Sequence, residues 1–148
     1  METQQTAGPK LFIGIDIHKR SWKIHCATDL SSGKTFSMPP HAELLRDYVS
    51  KHYPDYHVST AYEAGCCGYS AHRCFERYGW RSLVVNPADI FRRGKERHTK
   101  TDRIDAQLIA RELRDNRLEG IRVPDKCREQ LRSLFRRRND LVKDMRQI

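Results

Sequence analysis

The run Leu11-Phe12-Ile13-Gly14-Ile15-Asp16-Ile17 constrains this chain more than any other segment. It is apolar at odd and even positions alike except for Asp16, the pattern of a strand buried on both faces in the middle of a sheet. A carboxylate near the end of such a strand is costly unless it is paired or binds a metal. Asp16 is therefore either neutralised by the following turn, through Lys19 or Arg20, or it is a functional group.

Short elements surround that strand. His18 to Ser21 is a polar turn, Trp22 to Thr28 alternates as a second strand, and Lys34 to Met38 is a third. Connections this short predict an antiparallel meander, which Pro39-Pro40 ends. His41 to Tyr53 is predicted as a helix with Leu44, Leu45, Tyr48 and Val49 turned inward. Tyr56 to Tyr62 is a fourth strand with Glu63 at its end. A turn through Ala64-Gly65-Cys66-Cys67-Gly68 leads into a helix from about Tyr69 to Tyr78, and Arg81 to Val85 is a fifth strand stopped by Asn86-Pro87.

Ala88 to Thr99 reads as a long basic loop carrying Arg92, Arg93, Lys95, Arg97 and His98. A helix is predicted from Lys100 to about Leu118. Asp102 and Asp105, three residues apart, then fall on neighbouring positions of one face, where the apolar stripe of Ala106, Ile109, Ala110 and Leu113 begins. Two readings are open. Acids at a helix start complement the dipole and cap free N–H groups. Two close carboxylates in a part-dry site, alternatively, call for a cation between them.

Ile121 to Pro124 is an extended linker, and Asp125 to Ile148 is a last helix. On it Leu131, Leu134, Leu141, Met145 and Ile148 keep a 3–4 spacing, with Arg138 on the same stripe, as in a helix-pairing or coiled-coil seam. No cap signal precedes Ile148, so the natural protein is expected to continue. The expected organisation is a flexible tail over 1–10, one domain over 11–122, and the start of a linker helix over 123–148.

Charge separates these parts. Residues 1–90 carry ten Lys and Arg against nine Asp and Glu, a net +1; residues 91–148 carry eighteen against ten, a net +8. A positive excess concentrated in one part predicts a polyanion, most simply nucleic acid. The expected contacts are Arg92, Arg93, Lys95, Arg97, Lys100 and Arg103 around the aspartates, and Arg136, Arg137 and Arg138 on the last helix. Five cysteines without a CxxC pair spell no disulfide framework and no zinc spacing, and fit reduced thiols of a cytoplasmic protein. No apolar run approaches the roughly 20 residues of a membrane span.

Three antiparallel strands, helix, strand, helix, strand and helix, with acids at the ends of the first and fourth strands, resemble an α/β RNase H-like (RuvC-like) fold. That fold is a mixed five-stranded sheet flanked by helices, here with a C-terminal helical extension. In it the first and fourth strands lie side by side. Gly14-Ile15-Asp16-Ile17-His18-Lys19, Tyr62-Glu63-Ala64-Gly65 with Gly68-Tyr69, Val85-Asn86-Pro87 and Lys100-Thr101-Asp102-Arg103-Ile104-Asp105-Ala106 resemble, in this order, the DEDD transposases of the insertion sequence 110 family. The resemblance runs from Phe12 to Ile148. It implies that Asp16, Glu63, Asp102 and Asp105 are the catalytic, metal-binding quartet, with Mg²⁺ or Mn²⁺ as the ion. It further implies excision and insertion of a mobile element by DNA strand exchange, guidance by a structured bridge RNA, and a homo-oligomer, dimer or tetramer, built through the C-terminal helix. A nucleophilic serine is expected from a C-terminal domain beyond Ile148.

Rival readings keep part of this picture. A structure-selective nuclease resembling the Holliday-junction resolvases shares the fold and the acids, and a catalytically silent nucleic-acid-binding fragment keeps the fold alone. An actin-like sugar kinase also begins Gly-Ile-Asp-Ile, but needs a glycine-rich phosphate loop where His18-Lys19-Arg20 stands. His18 and Lys19 are expected in a solvated turn, with a phosphate or metal-water contact as the alternative. Trp22, Tyr62 and Tyr69 are expected to pack in the core rather than stack on bases.

Overall fold

β1 (Lys10–Ile17) is the middle strand of a five-stranded sheet in the order β3-β2-β1-β4-β5. The structure, a computed structural model, describes residues 8–65, 67–93 and 105–147, with the side chains of 91–93 outside that description. β2 (Trp22–Thr28) and β3 (Lys34–Met38) form the expected antiparallel meander, with Ile15 opposite Ile24 and Ile24 opposite Phe36. The chain then crosses over through α1 (Ala42–His52) to β4 (His57–Glu63), and through α2 (Ser70–Arg77) to β5 (Arg81–Val85). Both later strands run parallel to their neighbours. This is the mixed RNase H-like sheet, with helices on both faces.

Side-chain alternation divides β1 between two cores. Leu11, Ile13 and Ile15 point to the layer of α1 and α2, where Leu45, Val49 and Phe75 meet them. Phe12 points to the opposite layer, with Leu108, Ile109 and Leu113 of α4 (Ala106–Arg114) and Ile90 of α3 (Pro87–Arg93). Trp22 and Tyr62 belong to the first core, as expected; Trp22 meets Phe75 edge-on with ring centroids 6.1 Å apart. Cys26 is buried there too, and the loss of water raises its thiol pKa to about 12, so it stays protonated. Cys26, Cys74 and Cys127 are free thiols.

The tightest approach between layers is α4 on Gly14. A Cβ built at Gly14 would lie 2.0 Å from the carbonyl oxygen of Ala106 and 2.5 Å from the amide nitrogen of Ala110. Helix backbone thus rests directly on strand backbone, which no residue with a side chain allows. Ala106 and Ala110 keep that helix face small enough for the contact.

Three expected boundaries differ. Pro87–Arg93, expected within a long loop, is the helix α3: proline begins it, Asn86 Oδ1 accepts from the amide of Ala88, and Ile90 anchors it in the core. α4 begins at Ala106 rather than near Lys100. It ends at Arg114 rather than Leu118, because Asn116 turns left-handed at φ 56° and closes a Schellman motif. In that motif Asn116 N–H reaches Leu113 and Arg117 N–H reaches Glu112. Leu118 then turns back into the core. α5 (Lys126–Arg146) is as expected, capped by Asp125 with no buried residue. Its Leu131, Leu134, Leu141 and Met145 are all exposed.

Gly14→Ala is expected to destabilise the protein by about 2 kcal/mol or more in urea unfolding, since only a backbone shift makes room for the methyl group. Gly65→Ala, whose Cβ meets nothing within 4 Å, should stay within about 0.5 kcal/mol of the parent. Equal midpoints for the two variants would show that α4 does not rest on β1 as described.

Candidate active site

Strand pairing brings Asp16 and Glu63 together. Ile15 stands opposite Tyr62 in the parallel β1–β4 ladder, so the next residue of each strand, Asp16 and Glu63, flanks the same point at the ladder's end. Both strands alternate in phase. Asp16 follows Phe12 and Gly14, and Glu63 follows Ala61, on the face that α4 covers. Glu63 is held in place by its pairing with Val85 and by the next amide, Ala64 N–H, which donates to the Val85 carbonyl at 2.8 Å.

The pair is electrostatically unfavourable as it stands. Burial first, and then the negative charge of Asp16, push the Glu63 carboxyl above its ordinary pKa. The Asp16 side chain is only 17% exposed, and His18 Nε2 lies 3.2 Å from its Oδ1. The imidazole of the turn is therefore a neighbour of Asp16, where sequence reasoning named Lys19 or Arg20 as its cationic partners. His18 itself is 55% exposed, as expected of a solvated turn, and reaches Asp16 from there.

α4 delivers a third carboxylate to the same side. Leu113 and Arg114 share a cavity with Lys10 and Phe12, while Ala106 lies on Gly14. The helix thus runs antiparallel to β1, and its N-terminus points toward the end of the strand that carries Asp16. Asp105 stands at that terminus. Its backbone is extended (φ −107°, ψ 172°), and its Oδ1 accepts from Leu108 N–H at 2.8 Å. It is the N-cap and not, as expected, a residue inside the first turn. An aspartate that satisfies free helix N–H groups with its own side chain ends the helix there instead of continuing it. The capping reading therefore holds for Oδ1.

Asp102, with Lys95, Arg97, Lys100 and Arg103, lies outside the described residues, as do the side chains of Arg92 and Arg93. Among the described residues, no three His, Cys, Asp or Glu side chains are drawn together as a metal-binding group. The geometry thus joins Asp16 to Glu63 and sets Asp105 at the helix end on the same side of the sheet. Arg136, Arg137 and Arg138 are exposed on α5; Arg136 lies beside the turn that follows Glu63, and Arg137 faces Ser70 and Arg73. Sequence reasoning did not see the part Gly14 plays in seating α4. A glycine between two isoleucines in a buried strand is the signal that would have found it.

Comparison with known proteins places this architecture. A family profile described as "Transposase", of the DEDD type of insertion sequence 110, matches residues 13–148. A Sinorhizobium fredii (strain NBRC 101917 / NGR234) protein named "Putative transposase y4qE" is 40% identical over 90 residues, which cover 61% of this chain and 23% of that protein. A second from the same organism, "Putative transposase y4rJ", is 27% identical over 154 residues, covering 90% of this chain and 38% of that protein. The chain therefore spans well under half the length of either relative. With four motifs in order, the strand pairing that sets two of their acids side by side, and a family profile matched almost from end to end, this chain belongs to the DEDD transposase family of insertion sequence 110.

Proposed function

We propose that this chain is the metal-dependent catalytic domain of a mobile-element transposase that cleaves and exchanges DNA strands, with Asp16, Glu63, Asp102 and Asp105 as its acid quartet. The observation that carries the reading is the meeting of Asp16 and Glu63 on adjacent parallel strands, where burial and like charge disfavour ionising both carboxyls. A hard cation with oxygen ligands, Mg²⁺ or Mn²⁺, suits that donor set and, when bound, supplies the positive charge that phosphodiester cleavage requires. Asp16 and Glu63 hold fixed positions because each ends a strand anchored by its ladder. Asp105 would offer its second oxygen, Oδ2, to that cation, while Oδ1 caps α4.

The remaining roles follow from charge. Arg92, Arg93, Lys95, Arg97, Lys100 and Arg103 grip the DNA backbone beside the acids, and Arg136, Arg137 and Arg138 extend that grip along α5. A bridge RNA, as the family resemblance implies, chooses donor and target. The exposed stripe of Leu131, Leu134, Leu141 and Met145 pairs two copies of the chain. The setting is cytoplasmic; no helix among the described residues is long and apolar enough to cross a membrane.

Mg²⁺ or Mn²⁺ should raise the melting temperature of the parent chain, and Asp16→Asn or Glu63→Gln should remove that response. If both variants respond like the parent, the acid pair is not the metal site. The pH dependence has a defined sign. In chelator, the raised Glu63 pKa means that both states are protonated well below its unfolded value, with no penalty. As pH climbs through the folded value, ionisation disfavours the folded state. Stability without metal should therefore fall over that range, and Glu63→Gln should flatten the fall.

Asp105 separates its two duties by substitution. Asp105→Ala should lose about 1 kcal/mol of stability with the cap as well as the metal response, whereas Asp105→Asn should keep the cap and lose only the metal response. The seam is tested by sedimentation: Leu134→Glu with Leu141→Glu should leave a monomer at concentrations where the parent associates.

A further inference from the structure

α5 buries none of its residues, yet it is tied to the globular part at a defined point. Arg73 on α2 donates from Nη1 to Glu129 Oε2 at 2.5 Å, and from Nη2 to the carbonyl of Pro124 at 3.1 Å. One guanidinium thus holds both α5 and the linker that leads into it, which fixes the position of the helix and its direction of entry. The two charged side chains are about three-quarters shielded from solvent. Glycine at position 68 makes room for the clamp. Its φ is +65°, and a Cβ there would lie 2.9 Å from Glu129 Oε1.

That clamp has a consequence one turn further along. Glu129, Arg132, Ser133 and Arg136 follow the i, i+3, i+4, i+7 spacing of one helix face. With Gly65, Gly68 and Tyr69 they line a cavity of about 520 Å³. Gly65 is two residues past Glu63, so the cavity opens beside the end of β4 that carries the acid. The charge of Glu129 is engaged by Arg73, while Arg132 and Arg136 make no ion pair among the described residues. Arg132, Ser133 and Arg136 line it opposite Gly65 and Gly68, which bring no side chain into it. Such a set of planar, fork-shaped donors suits phosphate oxygens.

We propose that this cavity is a groove for the phosphodiester backbone of a nucleic-acid strand, with Arg132 and Arg136 as its phosphate contacts and the Arg73–Glu129 pair as the clamp that positions them beside Glu63. The proposal rests on the reading of the acid pair as a site acting on phosphodiesters.

Fluorescence anisotropy of the whole chain tests it, with labelled single-stranded DNA, duplex DNA and RNA of one sequence titrated across a range of salt. Arg132→Ala and Arg136→Ala should each weaken binding several-fold. Together they should lower the slope of log affinity against log salt by about 1.5, as expected for two lost phosphate contacts. Arg81→Ala, at the opposite end of the sheet, should change the slope much less. Glu129→Gln is the decisive variant. It removes a negative charge, so charge alone predicts tighter binding of a polyanion, whereas loss of the clamp predicts weaker binding at unchanged melting temperature. Equal losses on the DNA and RNA probes identify the shared backbone as ligand, and losses confined to one identify the nucleic acid that the groove takes. Tighter binding by Glu129→Gln, arginine variants no worse than Arg81→Ala, or no oligonucleotide binding by the parent overturns the groove. If Asp16→Asn abolishes the divalent-ion response in any of these cases, the groove fails and the acid pair stands.

Discussion

The parallel ladder between β1 and β4 is the interaction on which the rest of this structure depends. Two strands far apart in sequence are joined edge to edge with Ile15 opposite Tyr62, and that register alone decides that Asp16 and Glu63 meet. A slip of one residue would turn one acid to the other face of the sheet, into the apolar layer of Phe75 and Val49. The two cores lock the register, because Ile13 and Ile15 on one side and Phe12 on the other each have a place in only one layer. The acid pair is thus enforced by apolar packing and not by any attraction between its members, which repel. A functional site that costs stability and is supported by its surroundings is a familiar arrangement in enzymes.

Close contact of backbones carries the same logic to the third acid. Because Gly14 has no side chain, α4 settles onto β1 and brings its N-terminus to the strand end that bears Asp16. The positive end of the helix dipole then lies toward two carboxylates, which offsets a part of their mutual repulsion. Asp105 belongs to both systems. Its Oδ1 ends the helix, and its backbone stands at the helix end nearest the strand that carries Asp16.

A second organising contact lies outside the core. α5 is amphipathic in composition but buries nothing, so its placement relies on polar ties, Arg73 to Glu129 and Arg73 to Pro124. Hydrophobic burial, which is non-directional, fixes the acid pair; a shielded ion pair whose guanidinium also donates to the Pro124 carbonyl, which is directional, sets the basic helix beside it. The sheet domain and the basic helix are therefore joined by different physics, and each can be altered without the other.

The amino-acid sequence by itself determined the strands, the helices other than α3, and their order. The all-apolar run of Leu11 to Ile17, the alternation of Trp22 to Thr28 and the turn residues between them are local patterns, and local patterns are set by the period of a strand or helix. Asp16 was legible for the same reason, since an acid at the end of an apolar run is conspicuous wherever the run is packed, while Glu63 was marked by its place after the fourth strand in the order of motifs. What only the tertiary structure decided were features that depend on distant partners. α4 begins at Ala106 because Asp105 chose to cap, and ends at Arg114 because Asn116 and the core drew Leu118 back. Gly14 is a glycine because a helix more than ninety residues later lies on it. Glu129 faces Arg73 across 56 positions of sequence. No periodicity records such a contact, since its two halves are each unremarkable until the fold places one against the other.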